Sequence, residues 1–480
     1  MTAPGWIPLL LIPLPGSFHS WLATMVAGFS QGAETLRISP PIAPGIVPLP
    51  LMMLTIGGIF LGTLAISRFS LRIGVPAILG VLLFGLLINP SFSLFNHETI
   101  LRLQVLSLSI LLFNAGLETD IRSIRGFLEY GIILAVGGVI LSSLMLGLII
   151  WFVASPDAGG IQLGFRQVPV AVAMLIAACL GSTDAGATLN VLNLVKGAIP
   201  RRLAALVQFE SSVNDPSGIL FLGLVIGLTT LEGGSSGQQG VVVEQVQTFL
   251  QKIGSGLLIG VCVSYLGRFS LNRLVRETSQ LLILGIAIGL ISYGVAELMG
   301  GSGFISAYVA GLMLRNHTYS NEQITPQALQ QTLLPFNTMT EITVFLIFGL
   351  SVYPLELLPA LPEGIVVAIA LMLVARPASV LLLQRFSPFS LRDSLLVSWC
   401  GLRGAVPLAL SFEMVDAIPR VRGIDPTAVP SLVQNAGGIV FCVVVINLLV
   451  QGLTLPHVAR WLKLDEEAPM AVAVTAAGDR

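Results

Sequence analysis

Glu210 and Asp215 stand five residues apart in LVQFESSVNDPSGILFLGLVIG (206–227), a run otherwise apolar enough for a bilayer. Five residues on an α-helix turn through about 500°, so the two carboxylates point about 140° apart and do different work. Ser211 lies four positions before Asp215 and shares its face, making an oxygen cluster suited to a dehydrated alkali cation. Asn214 faces elsewhere and is placed to hydrogen-bond a broken helix. A second apolar run, AVAMLIAACLGSTDAGATLNVLNLV (171–195), is interrupted by the stretch Gly181 to Gly186. There Thr183 offers a further oxygen, and Asp184 an acid that can cap freed N–H groups. Two arginines sit equally deep: Arg376 in LMLVARPASVLLL (371–383) and Arg403 in VSWCGLRGAVPLALSF (397–412). A charge at that depth costs several kcal/mol and persists only with a partner or a wet cavity.

Pairing Arg376 with Glu210 leaves Asp215 to bind a proton or a cation, but not both. Burial disfavours the charged form of a carboxyl, which makes that competition effective. If the site faces one side of the membrane at a time, the competition is itself exchange, without ATP. Gly401, Gly404 and Pro407 break the span of Arg403 as Gly181 and Gly186 break the run 171–195. Such breaks are tolerated at membrane depth where they line a cavity. Arg403 is expected to complement Asp184 and the free half-helix ends. Glu341 is expected to pair with an arginine, gate an ion path or line a helix. Glu118 is expected at the membrane interface, solvated. No nucleophile–base pair, phosphate-binding loop or metal cluster is legible, so neither an enzyme nor a cofactor is expected. Cys179, Cys262, Cys400 and Cys442 each lie in an apolar run and are expected to be buried small hydrophobes.

These residues need an apolar frame, and the composition supplies one. The 480 residues are 54% hydrophobic and 10% charged, with a net charge of −1 and a mean hydropathy of +0.90. Soluble domains carry about 25% charged residues. Soluble enzyme, nucleic-acid binder, secreted disulfide scaffold and disordered tail are excluded. Thirteen apolar spans are predicted: 49–66, 74–89, 100–117, 128–153, 168–193, 203–229, 247–266, 279–298, 302–314, 332–353, 363–384, 394–415 and 431–456. Segment 6–28 is either a fourteenth span or an interfacial helix. Fifteen lysines and arginines fall in one set of loops and the C-terminal flank, and six in the other set. That bias places the C-terminus in the cytoplasm. The broken spans are the fifth and the twelfth; an odd offset of seven makes them cross in opposite senses, the layout of an inverted repeat with its ion site at the midplane. The expected organisation is an N-terminal segment (1–47), an all-α polytopic membrane domain (48–460) and a short cytoplasmic tail (461–480).

GSTDAGAT, FESSVNDPSGIL, ARPASVLL and SWCGLRGAVPLALS, in this order and spacing, resemble the signatures of monovalent cation:proton antiporters of the cation:proton antiporter-1 family, the NhaP and sodium–hydrogen exchanger type. The similarity covers roughly residues 50–455. It implies the antiporter fold with two crossed broken helices, and a sodium, potassium or lithium ion exchanged for a proton. It implies a cation held by Asp215, Ser211 and Thr183, with Asp184 and Asn214 assisting the site. It implies structural ion pairing of Glu210 with Arg376, and Arg403 and Asp184 stabilising the crossing. Asn214 stands where electrogenic relatives carry a second aspartate, which implies electroneutral exchange. A homodimer in a bacterial inner membrane is also implied, with spans four to six and eleven to thirteen as a moving core. Two departures stand out. Asn114 occupies a place where several relatives have an acid, and the chain ends too soon after Trp461 for a regulatory domain. A cation-coupled symporter of a small organic anion on the same fold, or a cation channel, are the competing expectations.

Overall fold

The computed structural model describes residues 49–73, 76–88, 97–154, 168–192, 199–230, 238–317, 319, 325–352 and 357–462. Residues 6–28 and the tail after Leu462 lie outside them. Contacts divide the chain into Met1–Gly62 and Thr63–Arg480. The described part of the first unit is the start of one helix, α1 (Leu49–Ile73).

The second unit is built of helices, and no strand occurs among the described residues. They are α2 (Ala77–Ile88), α3 (His97–Glu118), α4 (Leu128–Ala154), α5a (Val170–Cys179), α5b (Ala185–Leu192), α6 (Arg201–Thr230), α7 (Gln238–Arg273), α8 (Thr278–Leu298), α9 (Gly303–Arg315), α10 (Pro326–Ser351), α11 (Leu361–Phe386), α12a (Leu391–Trp399), α12b (Ala405–Ala417) and α13 (Val429–Leu462). Each predicted apolar span coincides with a helix or a broken pair. Among the described residues, eight helices are long and apolar enough to cross a membrane. The chain is an integral, multi-pass membrane protein. Capping sets several starts: Thr325 accepts from Ala328 N with Pro326 at the first turn of α10, and Ser390 with Asp393 forms a capping box before α12a.

The helices outrun the apolar stretches. α7 begins at Gln238, nine residues before the predicted span 247–266, because Gln and Glu continue a helix beyond the apolar run at little cost. Cys262 corrects another expectation. It is exposed on α7, among exposed Leu257, Leu258 and Phe269, whereas Cys179, Cys400 and Cys442 are buried. An apolar run in a membrane helix has a lipid side as well as a core side.

Two packing groups arise within this unit. In one, α3 packs on α9, α9 on α7 and α8, and α10 on α2 and α3. Small residues let these backbones touch: a Cβ on Gly116 of α3 would lie 2.7 Å from the Leu312 nitrogen of α9. In the other, α4 packs on α5a, α11 on α13, and α6 on α5a and α12b. Matching irregularities recur seven spans apart. α4 and α11 each contain a π-helical turn, Ile133–Gly137 and Leu371–Ala375, and the next span of each is broken. The fold is an inverted repeat with two crossed broken helices.

Candidate functional site

Each break exposes a carbonyl end and an N–H end, and hydrogen bonds between the two broken helices meet part of this need. Arg403 lies past the carbonyl end of α12a, and its Nη1 donates to the carbonyls of Gly181 (2.8 Å) and Ser182 (2.6 Å), just past the carbonyl end of α5a. The backbone N–H of Arg403 donates to Asn447 Oδ1 of α13 at 2.8 Å. Reciprocally, Asp184 N donates to the Leu402 carbonyl (2.7 Å). Thr188 Oγ1 lies within hydrogen-bonding distance of the carbonyls of Asp184 (2.6 Å) and Cys400 (3.2 Å). Asp184 Oδ1 accepts from Ala187 N at 2.9 Å and caps α5b. Its carboxylate also lies against Gly404, the residue before α12b. One acid therefore faces two positive helix ends, and one arginine faces a negative end.

No carboxylate pairs with Arg403 among the described residues. Its charge is balanced by carbonyl dipoles, because Asp184 is drawn to the N–H ends instead. The Glu210–Arg376 pair does form, Oε1 to Nη2 at 3.0 Å, with both side chains only 2% exposed. Arg376 immediately follows the π-turn of α11, and a Cβ on Gly138, immediately after the π-turn of α4, would lie 3.7 Å from its Nη1. π-turns bulge a helix where a side chain must be re-aimed.

Asn214 ties this pair to the break. Its Nδ2 donates to Glu210 Oε1 (3.0 Å) and Thr183 Oγ1 (2.6 Å), and its Oδ1 accepts from Thr183 N (3.2 Å). Thr183 Oγ1 lies 3.0 Å from Ser211 Oγ. Asn214 itself is fully buried. Asp215, on the other side of α6, is half-buried and points into a cavity of about 430 Å³ that also reaches Thr183, Asp184 and Ser211. The two acids thus serve different faces of α6, Glu210 the core and Asp215 the cavity. Pro216 follows Asp215 inside the helix and removes the backbone bond to the Ser212 carbonyl, loosening α6 beside the carboxylate.

The cavity lies between the two packing groups and runs from Gln330 of α10, at the end bearing the basic loops, to Pro407. Glu118 and Glu341 line it. Glu118, the last residue of α3, is more than a solvated acid: it accepts from Asn114 Nδ2 (2.8 Å) and Gln208 Nε2 (3.3 Å). A second cavity of about 300 Å³, lined by Lys252, Tyr293, Glu297 and Glu413, meets α6 from Ile219 onward. Asp215 and Ile219 are four residues apart, about 6 Å along the axis, so little more than a helical turn separates the two cavities.

The transmembrane sodium/hydrogen exchanger domain profile matches residues 57–461. The chain belongs to the sodium/hydrogen exchanger family. It is 30% identical over 409 residues to the K(+)/H(+) antiporter NhaP2 of Shewanella oneidensis, covering 83% of this chain and 65% of that protein. It is 29% identical over 412 residues to the Na(+)/H(+) antiporter NhaS2 of Synechocystis sp., covering 83% and 68%. The chain thus spans about two thirds of the length of these relatives. In fold it resembles the sodium proton antiporter MjNhaP1 of Methanocaldococcus jannaschii, with a TM-score of 0.70, 19% identity, and coverage of 86% of this chain and 99% of the other.

Asn447 and Gln451 escaped the reading of the sequence. Asn447 Nδ2 donates to Gln451 Oε1 (2.8 Å) and its oxygen holds Arg403. Two amides four residues apart in the otherwise apolar FCVVVINLLVQGL run were the available signal.

Proposed function

We propose that this protein exchanges sodium or potassium ions for protons, one for one, with Asp215 as the group both ions share. One observation carries the reading. Of the two acids on α6, Glu210 is neutralised by Arg376 in the core. Asp215 lines a cavity beside Ser211 and Thr183, with no arginine or lysine paired to it among the described residues. Carboxylate and hydroxyl oxygens suit an alkali cation, and the same carboxylate takes a proton when the cation leaves. Asn214 spends its amide on Thr183 and Glu210, so α6 brings one exchanging carboxylate to the cavity. That favours electroneutral stoichiometry. Cavities on both sides of a single turn of α6 favour alternating access over a pore. An anion symporter would need Arg403, which is fully buried, with its Nη1 engaged by the carbonyls of Gly181 and Ser182.

The relatives' names support both cations. The excess of basic residues on the cavity side favours a cytoplasmic position for that side and for the C-terminus, and the proposed location is a bacterial inner membrane. The groups α4–α6 with α11–α13, and α2–α3 with α7–α10, serve as moving core and scaffold in a homodimer. The deciding experiment is dye-reported pH change in everted vesicles after adding sodium or potassium. Asp215→Asn abolishes the response while the protein still inserts; undiminished exchange by that variant overturns the assignment.

A further inference from the structure

Lys252 of α7 is the one lysine inside a predicted span, 247–266. It stands sixteen residues before Arg268 of the basic loops, about 24 Å along the helix axis and so within the thickness of a bilayer. An ionisable group at that depth marks an ion path by default. Its main chain is pinned: Ser302 N donates to the Lys252 carbonyl at 3.0 Å, at the start of α9. The positive end of a helix favours an acid over a lysine, and Lys252 forms no salt bridge among the described residues. Fold stability does not account for this charge.

Lys252 lines the second cavity, of about 300 Å³, and two acids share it. Glu297 of α8 is spent on Gly303 N (2.8 Å), holding the first turn of α9. Glu413 comes instead from α12b, in the packing group that carries Asp215. The lining also takes in Ile219 of α6, four residues after Asp215. A scaffold lysine and a core acid therefore face one space, about a helical turn from the exchanging carboxylate and away from the basic loops.

We propose that Lys252 sets the cation affinity of the external face. The proposal rests on the exchanger reading above. A cation held at Asp215 while the site opens to this cavity meets the ammonium as a like charge and Glu413 as an opposite one. Lys252 does not line the cytoplasmic cavity, so its repulsion acts on the outward-facing arrangement alone. The charge weakens binding from outside and thereby favours release of the cation there. An ammonium group has no lone pair to offer a cation, so Lys252 determines affinity without being a ligand.

The test compares the two faces. In right-side-out vesicles, Lys252→Gln lowers the half-saturating sodium or potassium concentration by about fivefold, the scale of one like charge at about a Debye length. Lys252→Glu lowers it further, and Lys252→Arg, which keeps the charge, leaves it unchanged. In everted vesicles all three variants match the parent protein. Glu413→Gln moves the external value the opposite way, which keeps the proposal testable should Lys252→Gln fail to insert. Shifts that follow side-chain size instead of charge, equal shifts on both faces, or none with normal insertion overturn it. A second readout separates this proposal from the exchanger reading. Thr248 lines the cavity one turn before Lys252. With the exposed Cys262 replaced by serine, Thr248→Cys reports the local potential through its reaction rates with a cationic and an anionic methanethiosulfonate added outside. Lys252→Gln raises the cation-to-anion rate ratio about tenfold, because the two reagents respond in opposite directions. A ratio indifferent to the charge at position 252 overturns the proposal whatever Asp215 does in transport. Undiminished exchange by Asp215→Asn, with the ratio and the external affinity still set by position 252, would place the failure in the exchanger reading and leave the charge effect standing.

Discussion

The carboxyl group of Asp184 occupies the space that a side chain on Gly404 would need. A Cβ there would lie 2.7 Å from Asp184 Cβ and Cγ. The acid of one broken helix can approach the N–H end of the other because position 404 has no side chain. Gly404→Ala is therefore expected to push the crossing apart and to abolish exchange with a clear loss of thermal stability. Gly254→Ala on α7 is the control, since nothing lies within 4 Å of a Cβ there. A helical alanine in open space gains roughly 0.5–1 kcal/mol over glycine. Exchange by Gly404→Ala at the level of this control would mean that the contact does not shape the site.

Glu210 and Arg376 test a second relationship. Removing one partner of a buried pair leaves an uncompensated charge and costs about 3–5 kcal/mol, whereas removing both is often close to neutral. Arg376→Ala is expected to lower melting temperature and yield sharply, and Glu210→Ala in that background to recover part of the loss. Thermal unfolding of the four proteins in one detergent measures the coupling. Strictly additive losses contradict the 3.0 Å contact.

Much of this was legible because charge in an apolar run is rare and expensive. The helical angle between Glu210 and Asp215 separates a core face from a cavity face whatever surrounds them, and the structure realises that separation. The broken span around Arg403 pointed to half-helix ends as its complement, but not to the carbonyls of Gly181 and Ser182 that it meets, because a backbone dipole has no letter in a sequence. The partners of Glu118 were not legible because they depend on a cavity formed by α6 and α10, which no local pattern encodes. The π-turns of α4 and α11 were equally silent: Ile133–Gly137 and Leu371–Ala375 read as ordinary apolar helix.

Asn447 yields the third prediction. Its side-chain oxygen accepts from the Arg403 N–H at 2.8 Å, deep in the core. Asn447→Ala leaves that donor without a partner, at a cost of about 1–3 kcal/mol. Asn447→Asp keeps the acceptor and is expected to retain more stability and exchange than the alanine variant. The reverse order would show that the amide serves Gln451 rather than the break.

The last prediction concerns pH at a site shared by two ions. A proton on Asp215 excludes the cation, so acidifying the face that supplies the cation weakens its apparent affinity and leaves the maximal rate at saturating cation unchanged. Below the carboxyl's own pKa, each pH unit should raise the half-saturating concentration by about tenfold, the slope of one proton competing with one cation. Above that pKa the affinity should level off, because the carboxylate is already ionised. Two exchanging carboxylates would give a steeper slope, about a hundredfold per unit. Measuring half-saturation for sodium and potassium across a pH series on one face distinguishes these cases. A pH effect confined to maximal rate, with constant affinity, is incompatible with competition at Asp215 and would assign the pH response to the movement of the core.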